Sequence, residues 1–199
     1  MRELNFFKEN LLGLVPFKNS GDAVAAAEKF GVIPDIITIA KGISNATIPL
    51  GGVLVSDGIY NTFMAIDSPG VELNHGYTYS GHPVACAAAL ATLDIYEEEK
   101  LFQRADSLEQ AWLDGLMSFQ DEPNVIDARG IPLIGAIELE ARAGAPMQRG
   151  AEVGRRCYEK GAWVRTIGDI VVMSPPLIVS EDQVTEIFNI IRASIREVD

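Results

Sequence analysis

The chain has 199 residues, 48% of them hydrophobic and 22% charged, which is typical of a globular protein that buries a sizeable core. Its formal net charge is −12, with 28 acidic and 16 basic residues, so neither nucleic-acid binding nor attachment to an anionic membrane is expected. Cys86 and Cys157 lie far apart without a second ligand at metal-binding spacing, which indicates neither a zinc site nor a disulfide scaffold. Without an apolar span or a signal-peptide pattern, we expect a cytoplasmic protein.

The first hundred residues predict alternating helices and strands. Residues 1–20 show no clear period, and Ser20 is an N-cap candidate for a short helix ending near Phe30. The β-branched run at residues 35–40 predicts a strand buried on both faces. A turn rich in proline and glycine then precedes a second strand at 53–55 and a short helix at 57–64.

A polar connection separates these elements from a long predicted helix. Residues 67–81 are rich in Gly, Pro, Ser and Asn, and loops of this length usually carry function. Pro83 is placed as the first residue of a helix that we expect to continue to about Phe119.

Beyond residue 120 the pattern predicts a second, smaller α/β domain, following a first domain at 21–119. Strands are expected at 133–139, 163–166 and 170–173, with a helix at 149–159. Ser180 and Gln183 form a capping box that begins a terminal helix. Its predicted buried stripe consists of apolar side chains at helical spacing: Val184, Ile187, Phe188, Ile191 and Ile195.

Lys41 is the most informative candidate residue. It lies at the carboxyl end of a predicted strand, where open α/β sheets place their ligands, and Gly42 leaves room beside its amine. Partial removal from water favours the neutral amine, which attacks carbonyl groups to form an imine. By spacing alone, a solvated lysine at a strand end is the commoner interpretation.

Three segments resemble the signatures of one enzyme family. They are PDIITIAKG followed by IPLGGV (residues 34–42 and 48–53), HGYTYSGHP (75–83), and Arg165 followed by GD and SPPLI (168–169 and 174–178). The first resembles the lysine segment of class III aminotransferases, which are pyridoxal-phosphate enzymes of fold type I. From about Asp22 onward, the chain is most similar to the ω-amino acid–pyruvate, or β-alanine–pyruvate, branch.

This resemblance implies a fold, a cofactor and an oligomeric state. The implied fold is α/β, with part of the fold type I large domain followed by a smaller C-terminal α/β domain. The implied cofactor is pyridoxal 5′-phosphate, bound by Lys41 as an imine and contacted by Tyr77 and Thr78. Lys41 would also act as the proton-transferring base. In the family, the threonine matching Thr78 binds the phosphate of the neighbouring subunit, so a homodimer or higher oligomer is implied.

The resemblance also assigns the substrate carboxylate to Arg165. A planar guanidinium suits bidentate carboxylate binding, whereas a surface cation at a strand end is the alternative. In the ornithine and γ-aminobutyrate branches the carboxylate arginine occupies the position of Val172, which leaves Arg165 as the candidate here. Neither His75 nor His82 receives a catalytic role. For Thr78, a hydroxyl that caps its own loop is the commoner alternative.

The sequence departs from the family in its first residues. Where the family places the aspartate that keeps the pyridine nitrogen protonated, this chain has Leu12, and residues 13–19 do not match the family either. We expect the first half of the implied fold, with the loop that holds the phosphate, to have no counterpart in these 199 residues. We therefore expect a truncated chain that is a poor transaminase alone, with complementation by an N-terminal half as one explanation. The alternatives are a non-catalytic dimerisation module and, less favoured, another pyridoxal-phosphate reaction such as an aminomutase or racemase.

Overall fold

Apolar β-branched residues after Asp35 form the first strand of the computed structural model, which describes residues 31–65 and 76–198. Strand β1 (Ile36–Ala40) pairs with β2 (Gly51–Val55) in antiparallel register, with Ala40 opposite Gly51. Helix α1 (Asp57–Met64) follows as expected. The predicted helix ending near Phe30, Leu12 and His75 lie outside the described residues.

The expectation that β1 is buried on both faces is wrong. Exposed and half-buried positions alternate along the strand, and Ile36 is 54% exposed. The physical reason is that β1 and β2 form a two-stranded sheet, to which no third strand is added within the described ranges. An apolar strand is buried on both faces only when other layers cover it.

The prediction of a single helix from Pro83 to about Phe119 is also wrong, although its predicted start at Pro83 is confirmed. The structure has α2 (Pro83–Glu98), α3 (Leu101–Ser107) and α4 (Glu109–Met117). Lys100 between the first two has a φ of +50°, a left-handed conformation that ends a right-handed helix. The chain divides into two compact units at this point, residues 1–100 and 101–199.

The second unit is built on a four-stranded antiparallel sheet. Its strands are β3 (Val125–Ile131), β4 (Ile134–Leu139), β5 (Arg165–Ile167) and β6 (Ile170–Met173), in the order β3-β4-β6-β5. Strand β3 was not predicted, because Asp127, Arg129 and Gly130 interrupt its apolar pattern. In the structure the Arg129 guanidinium donates to Asp127 of the same strand and to Glu138 of the neighbouring strand β4.

Three helices pack with this sheet and complete one core. Helix α4 packs on β3, α5 (Gln148–Glu159) packs on β5 and β6, and α6 (Glu181–Arg196) packs on both helices. The predicted capping box of α6 is confirmed: the Ser180 hydroxyl accepts the Gln183 N–H at 3.2 Å, and the Ser180 N–H donates to the Gln183 side chain at 2.9 Å. The largest fully buried side chains include Trp112, Phe119, Leu116, Ile137, Leu139, Ile191 and Ile195.

In the parts of the chain that the structure describes, no helix is both long enough and apolar enough to cross a membrane.

Candidate active site

Lys41 stands directly after β1, as expected, on a short 3₁₀ turn (Lys41–Ser44). Ala40 before it is fully extended, whereas Lys41 has a φ of +56°, so the backbone changes direction at the lysine itself. The lysine side chain is exposed. The residues that the structure describes therefore do not provide the expected partial removal of its amine from water.

Side-chain hydroxyls hold the segment that follows the lysine. Ser44 is 1% exposed, and its hydroxyl donates to the carbonyl of Ile48 at 2.7 Å. The hydroxyl of Thr47 donates to the carbonyl of Ser44, also at 2.7 Å. Because these bonds draw residues 44–48 into a closed loop, the chain returns to Gly51, which pairs with the residue before the lysine.

A cavity of about 410 Å³ is lined in part by the end of the same loop. Its lining residues come from three short segments: Ile48, Pro49, Leu50 and Gly51, then Tyr77, Tyr79, Ser80, Gly81 and His82, and finally Ala85 of α2. The wall mixes aromatic rings with a hydroxyl and an imidazole, so it offers apolar contact and a few hydrogen-bonding groups. Neither Lys41 nor Thr78 is among these lining residues.

The loop at residues 76–82 is closed by Ser80 rather than by Thr78. The Tyr77 N–H donates to the Ser80 hydroxyl at 2.8 Å, and the Ser80 N–H donates to the Tyr77 carbonyl at 2.9 Å. Gly81 has a φ of +71°, which lets the chain turn into α2. Thr78 is exposed, and its hydroxyl makes no hydrogen bond within the described part of the chain. Within the described residues, Thr78 therefore does not cap the end of this loop.

Arg165 lies in the second unit, at the start of edge strand β5, and is exposed. It is directly opposite Val172 of β6 in the antiparallel register. Opposed residues of an antiparallel pair project from the same face of the sheet. Met173 and Val171 of β6 are buried in the core, whereas Val172 belongs to the other face, so Arg165 projects away from the core.

Helix α5 fixes the turn that follows β5. The Asp169 carboxylate accepts the N–H of Met147 at 2.7 Å and that of Gly150 at 2.9 Å, at the start of the helix. A Cβ atom on Gly150 would lie 2.2 Å from the carbonyl oxygen of Gly168, so only glycine permits this approach. These contacts therefore attach the β5–β6 hairpin, which carries Arg165, to the start of α5.

The structure thus brings some of the candidate residues together and leaves others apart. Tyr77 shares the cavity with the loop that follows Lys41, while Thr78 is outside it and Arg165 is in the second unit. Sequence reasoning missed Tyr79 and His82 as cavity walls, and it missed Tyr96, whose hydroxyl donates to the carbonyl of Gly42 at 2.7 Å. No local pattern indicates Tyr96, because its partner is 54 residues away.

Comparisons with known proteins identify the family of the chain. The family model for class III aminotransferases matches residues 17–195. The chain is 48% identical over 175 residues to an omega-aminotransferase of Caulobacter vibrioides, a match that covers 87% of this chain and 40% of that protein. It is 41% identical over 167 residues to the beta-alanine–pyruvate aminotransferase of Pseudomonas aeruginosa, a match that covers 83% of this chain and 37% of that protein.

Solved structures similar to this chain are transaminases as well. An amine transaminase from an uncultivated Pseudomonas species, in its PLP-bound form, superposes with a TM-score of 0.82 at 31% identity, over 91% of this chain and 42% of that one. An (S)-enantioselective omega-transaminase from Thermomicrobium roseum gives a TM-score of 0.80 at 34% identity, over 90% of this chain and 41% of that one. The chain therefore spans less than half the length of these relatives. From the family match and these identities, the chain belongs to the class III aminotransferases, a family of pyridoxal-phosphate-dependent enzymes.

Proposed function

We propose that this chain provides the lysine, the phosphate-contacting loop and the carboxylate-binding arginine of an aminotransferase that moves an amino group between a small ω-amino acid or amine, such as β-alanine, and pyruvate. The observation that carries this proposal is the position of Lys41, an exposed amine directly after β1 on a turn closed by its own hydrogen bonds. The names of two relatives, an omega-aminotransferase and a beta-alanine–pyruvate aminotransferase, support the substrate class.

The residues present fit part of pyridoxal 5′-phosphate. Lys41 supplies the amine that would hold the aldehyde of the cofactor, and the Thr78 hydroxyl, which makes no hydrogen bond within the described chain, supplies a donor for the phosphate. Tyr77, beside Thr78, would contact the cofactor through its ring. When bound, the cofactor supplies an electron-withdrawing ring that stabilises negative charge on the substrate carbon.

Two side chains of this chain then act on the substrate. The Nζ atom of Lys41 takes the proton from the carbon that bears the amino group and returns a proton when the second substrate is converted. The guanidinium of Arg165 binds the substrate carboxylate through two parallel hydrogen bonds, which orient the carbon for that proton transfer.

The strand register supports the role of Arg165. The two positions that carry the carboxylate arginine in different branches of the family correspond to Arg165 and Val172, which face each other across β5 and β6. An arginine at either position therefore projects from the same face of the sheet. One carboxylate site can thus be occupied from either strand, and in this chain β5 provides the cation.

The proposed assembly is a homodimer or higher oligomer. Among the described residues, neither Lys41 nor Thr78 lines the cavity beside Tyr77, as expected if each contacts a different cofactor in a pair of subunits. Groups that this chain does not match, such as the partner of the pyridine nitrogen, would come from a complementing N-terminal half.

A second candidate function is a dimerisation module without catalysis. The observation that favours it is Leu12 at the position of the family aspartate, since a leucine cannot keep the pyridine nitrogen protonated. Such a module would have the same oligomeric state with and without pyridoxal phosphate, which sizing of the purified chain measures directly.

The decisive experiment is reductive trapping of the cofactor. The chain is incubated with pyridoxal phosphate, reduced with borohydride and mapped by mass spectrometry, first alone and then with a separately expressed N-terminal half of a relative. We expect the adduct on Lys41. β-Alanine added before reduction should decrease the labelling, because the donor converts the aldehyde into an amine that lysine does not capture, and pyruvate should restore it.

Two variants control this measurement. Lys41→Arg keeps the positive charge but cannot form the adduct, so its labelling should disappear, whereas Lys100→Arg, at an exposed lysine of the same unit, should label normally. Adducts spread over other lysines, or none in either format, would refute a competent site and favour the dimerisation module.

A further inference from the structure

We infer that Tyr96 is a positioning residue for Lys41: its phenol holds the carbonyl of Gly42 and thereby fixes the direction in which the turn presents the lysine amine. This inference rests on the proposed function of Lys41. It adds a residue on a separate helix, outside the three segments that carry the family resemblance.

The turn that carries Lys41 has a conformation that needs support. Lys41, Asn45 and Ala46 all have left-handed backbones, with φ values of +56°, +47° and +58°. Residues with a Cβ atom rarely adopt this region, because the Cβ atom approaches the following carbonyl oxygen. Conformations of this kind persist only where surrounding contacts hold them.

Gly42 is the residue of this turn whose backbone its own side chain restricts least. It follows the lysine directly and lacks a side chain that could restrict its backbone. Its carbonyl accepts the Asn45 N–H at 3.2 Å, a bond made within the turn itself. A second bond, from a different element, also restrains this carbonyl.

Tyr96 provides that second bond. Its hydroxyl donates to the Gly42 carbonyl at 2.7 Å from near the end of α2. The preceding turn of the helix is anchored, since Thr92 and Leu93 are buried and one helical turn separates them from Tyr96. Partial burial raises the pKa of the Tyr96 phenol, so the hydroxyl keeps the proton that it donates. Because this part of α2 is anchored in the unit, the hydrogen bond from Tyr96 restrains Gly42, the residue after Lys41.

The first measurement compares hydrogen exchange in the parent chain and in Tyr96→Phe, which removes one oxygen atom and keeps the ring. The reporters are the amides of Asn45 and Ala46, which donate to the carbonyls of Gly42 and Lys41. We expect about fivefold faster exchange at both, the effect of losing one hydrogen bond. The Ser56 amide, which bonds to Asp35 at the far end of the strand pair, should be unchanged. Tyr60→Phe, on exposed α1, is the matched control.

The second measurement is the rate at which pyridoxal phosphate is trapped on Lys41 by reduction. If Tyr96 orients the amine, trapping is slower in Tyr96→Phe by about the same factor and unchanged in Tyr60→Phe. Unchanged exchange at Asn45 and Ala46, or faster exchange with an unchanged trapping rate, would overturn the inference. A parent chain that does not label at Lys41 contradicts the proposed function instead, and the exchange data then test the restraint by itself.

Discussion

The described parts of the two units differ in how deeply their strands are buried. In the second unit, helices α4, α5 and α6 cover the sheet, and Ile137 at its centre is 0% exposed. In the first unit, β1 and β2 form an apolar strand pair in which Val53 is 56% exposed. Apolar strands of this composition normally pack between layers. The candidate lysine Lys41 therefore follows a strand pair whose apolar side chains are partly exposed. Arg165 lies on a sheet whose other face is covered by helices.

A matched pair of isoleucines tests this difference most strongly. Ile137→Ala should lower the free energy of local opening of β4 by about 2–5 kcal/mol, because it leaves a cavity in a closed core. Ile37→Ala, the same change in half-buried β1, should cost less than about 1 kcal/mol, because the side chain is already partly hydrated. Native-state hydrogen exchange measures both openings in their own strands. Equal losses would show that β1 is as well packed as β4.

The close approach of α5 to the β5–β6 turn predicts a loss of stability when Gly150 is replaced. Gly150→Ala should destabilise the second unit by about 3 kcal/mol, because the new methyl group meets the backbone of Gly168 and the helix must shift. Both tryptophans, Trp112 and Trp163, lie in this unit, so tryptophan fluorescence during urea unfolding reports it.

Gly58→Ala is the control for that substitution. Gly58 lies in α1 of the first unit, and a Cβ atom there would have its nearest neighbour at 3.9 Å, so an alanine fits and favours the helix. The fluorescence transition should not move. A comparable loss of stability from both variants would show that the packing of Gly150 has no special role.

Elements that local signals specify are predicted in both units, and the reason is physical. Local signals are enough where an element is stabilised by its neighbours in sequence: the capping box of Ser180 and Pro83 at a helix start are both confirmed. Strand β3 escapes prediction because it is stabilised by pairing with β4, which a local apolar pattern does not show. The helix break at Lys100 likewise depends on one left-handed residue.

The candidate site divides in the same way. The position of Lys41 at a strand end follows from a local run of β-branched residues, and the structure confirms it. Its exposure does not follow, because burial depends on layers that the strand itself does not specify. The contact from Tyr96 and the cross-strand position of Arg165 opposite Val172 are tertiary, so they emerge only from the fold. The roles of Lys41, Tyr77, Thr78 and Arg165 remain predictions.

The smallest expected change in stability, and the one that depends on pH, comes from the buried carboxylate of Glu122. Glu122 is 9% exposed and accepts hydrogen bonds from Arg196 at 2.7 and 2.8 Å and from Arg192 at 2.8 Å, which join the chain after α4 to α6. These bonds, above all the one from Arg196, lower the pKa of the Glu122 carboxyl. A lowered folded-state pKa means that the unfolded chain binds the proton more tightly, so this stabilisation is complete above the ordinary carboxyl pKa and is lost as the pH falls through the folded value.

Glu122→Gln should therefore destabilise the second unit by about 1.5 kcal/mol at neutral pH, the effect of losing charge-assisted hydrogen bonds. The difference from the parent should shrink as the pH falls below about 4.3, where carboxyls of the unfolded chain begin to take up protons. Urea midpoints across this range measure it, and Glu186→Gln, at an exposed position of the same helix α6, should show no such dependence. A difference that stayed constant with pH would mean that Glu122 acts through packing and not through its charge.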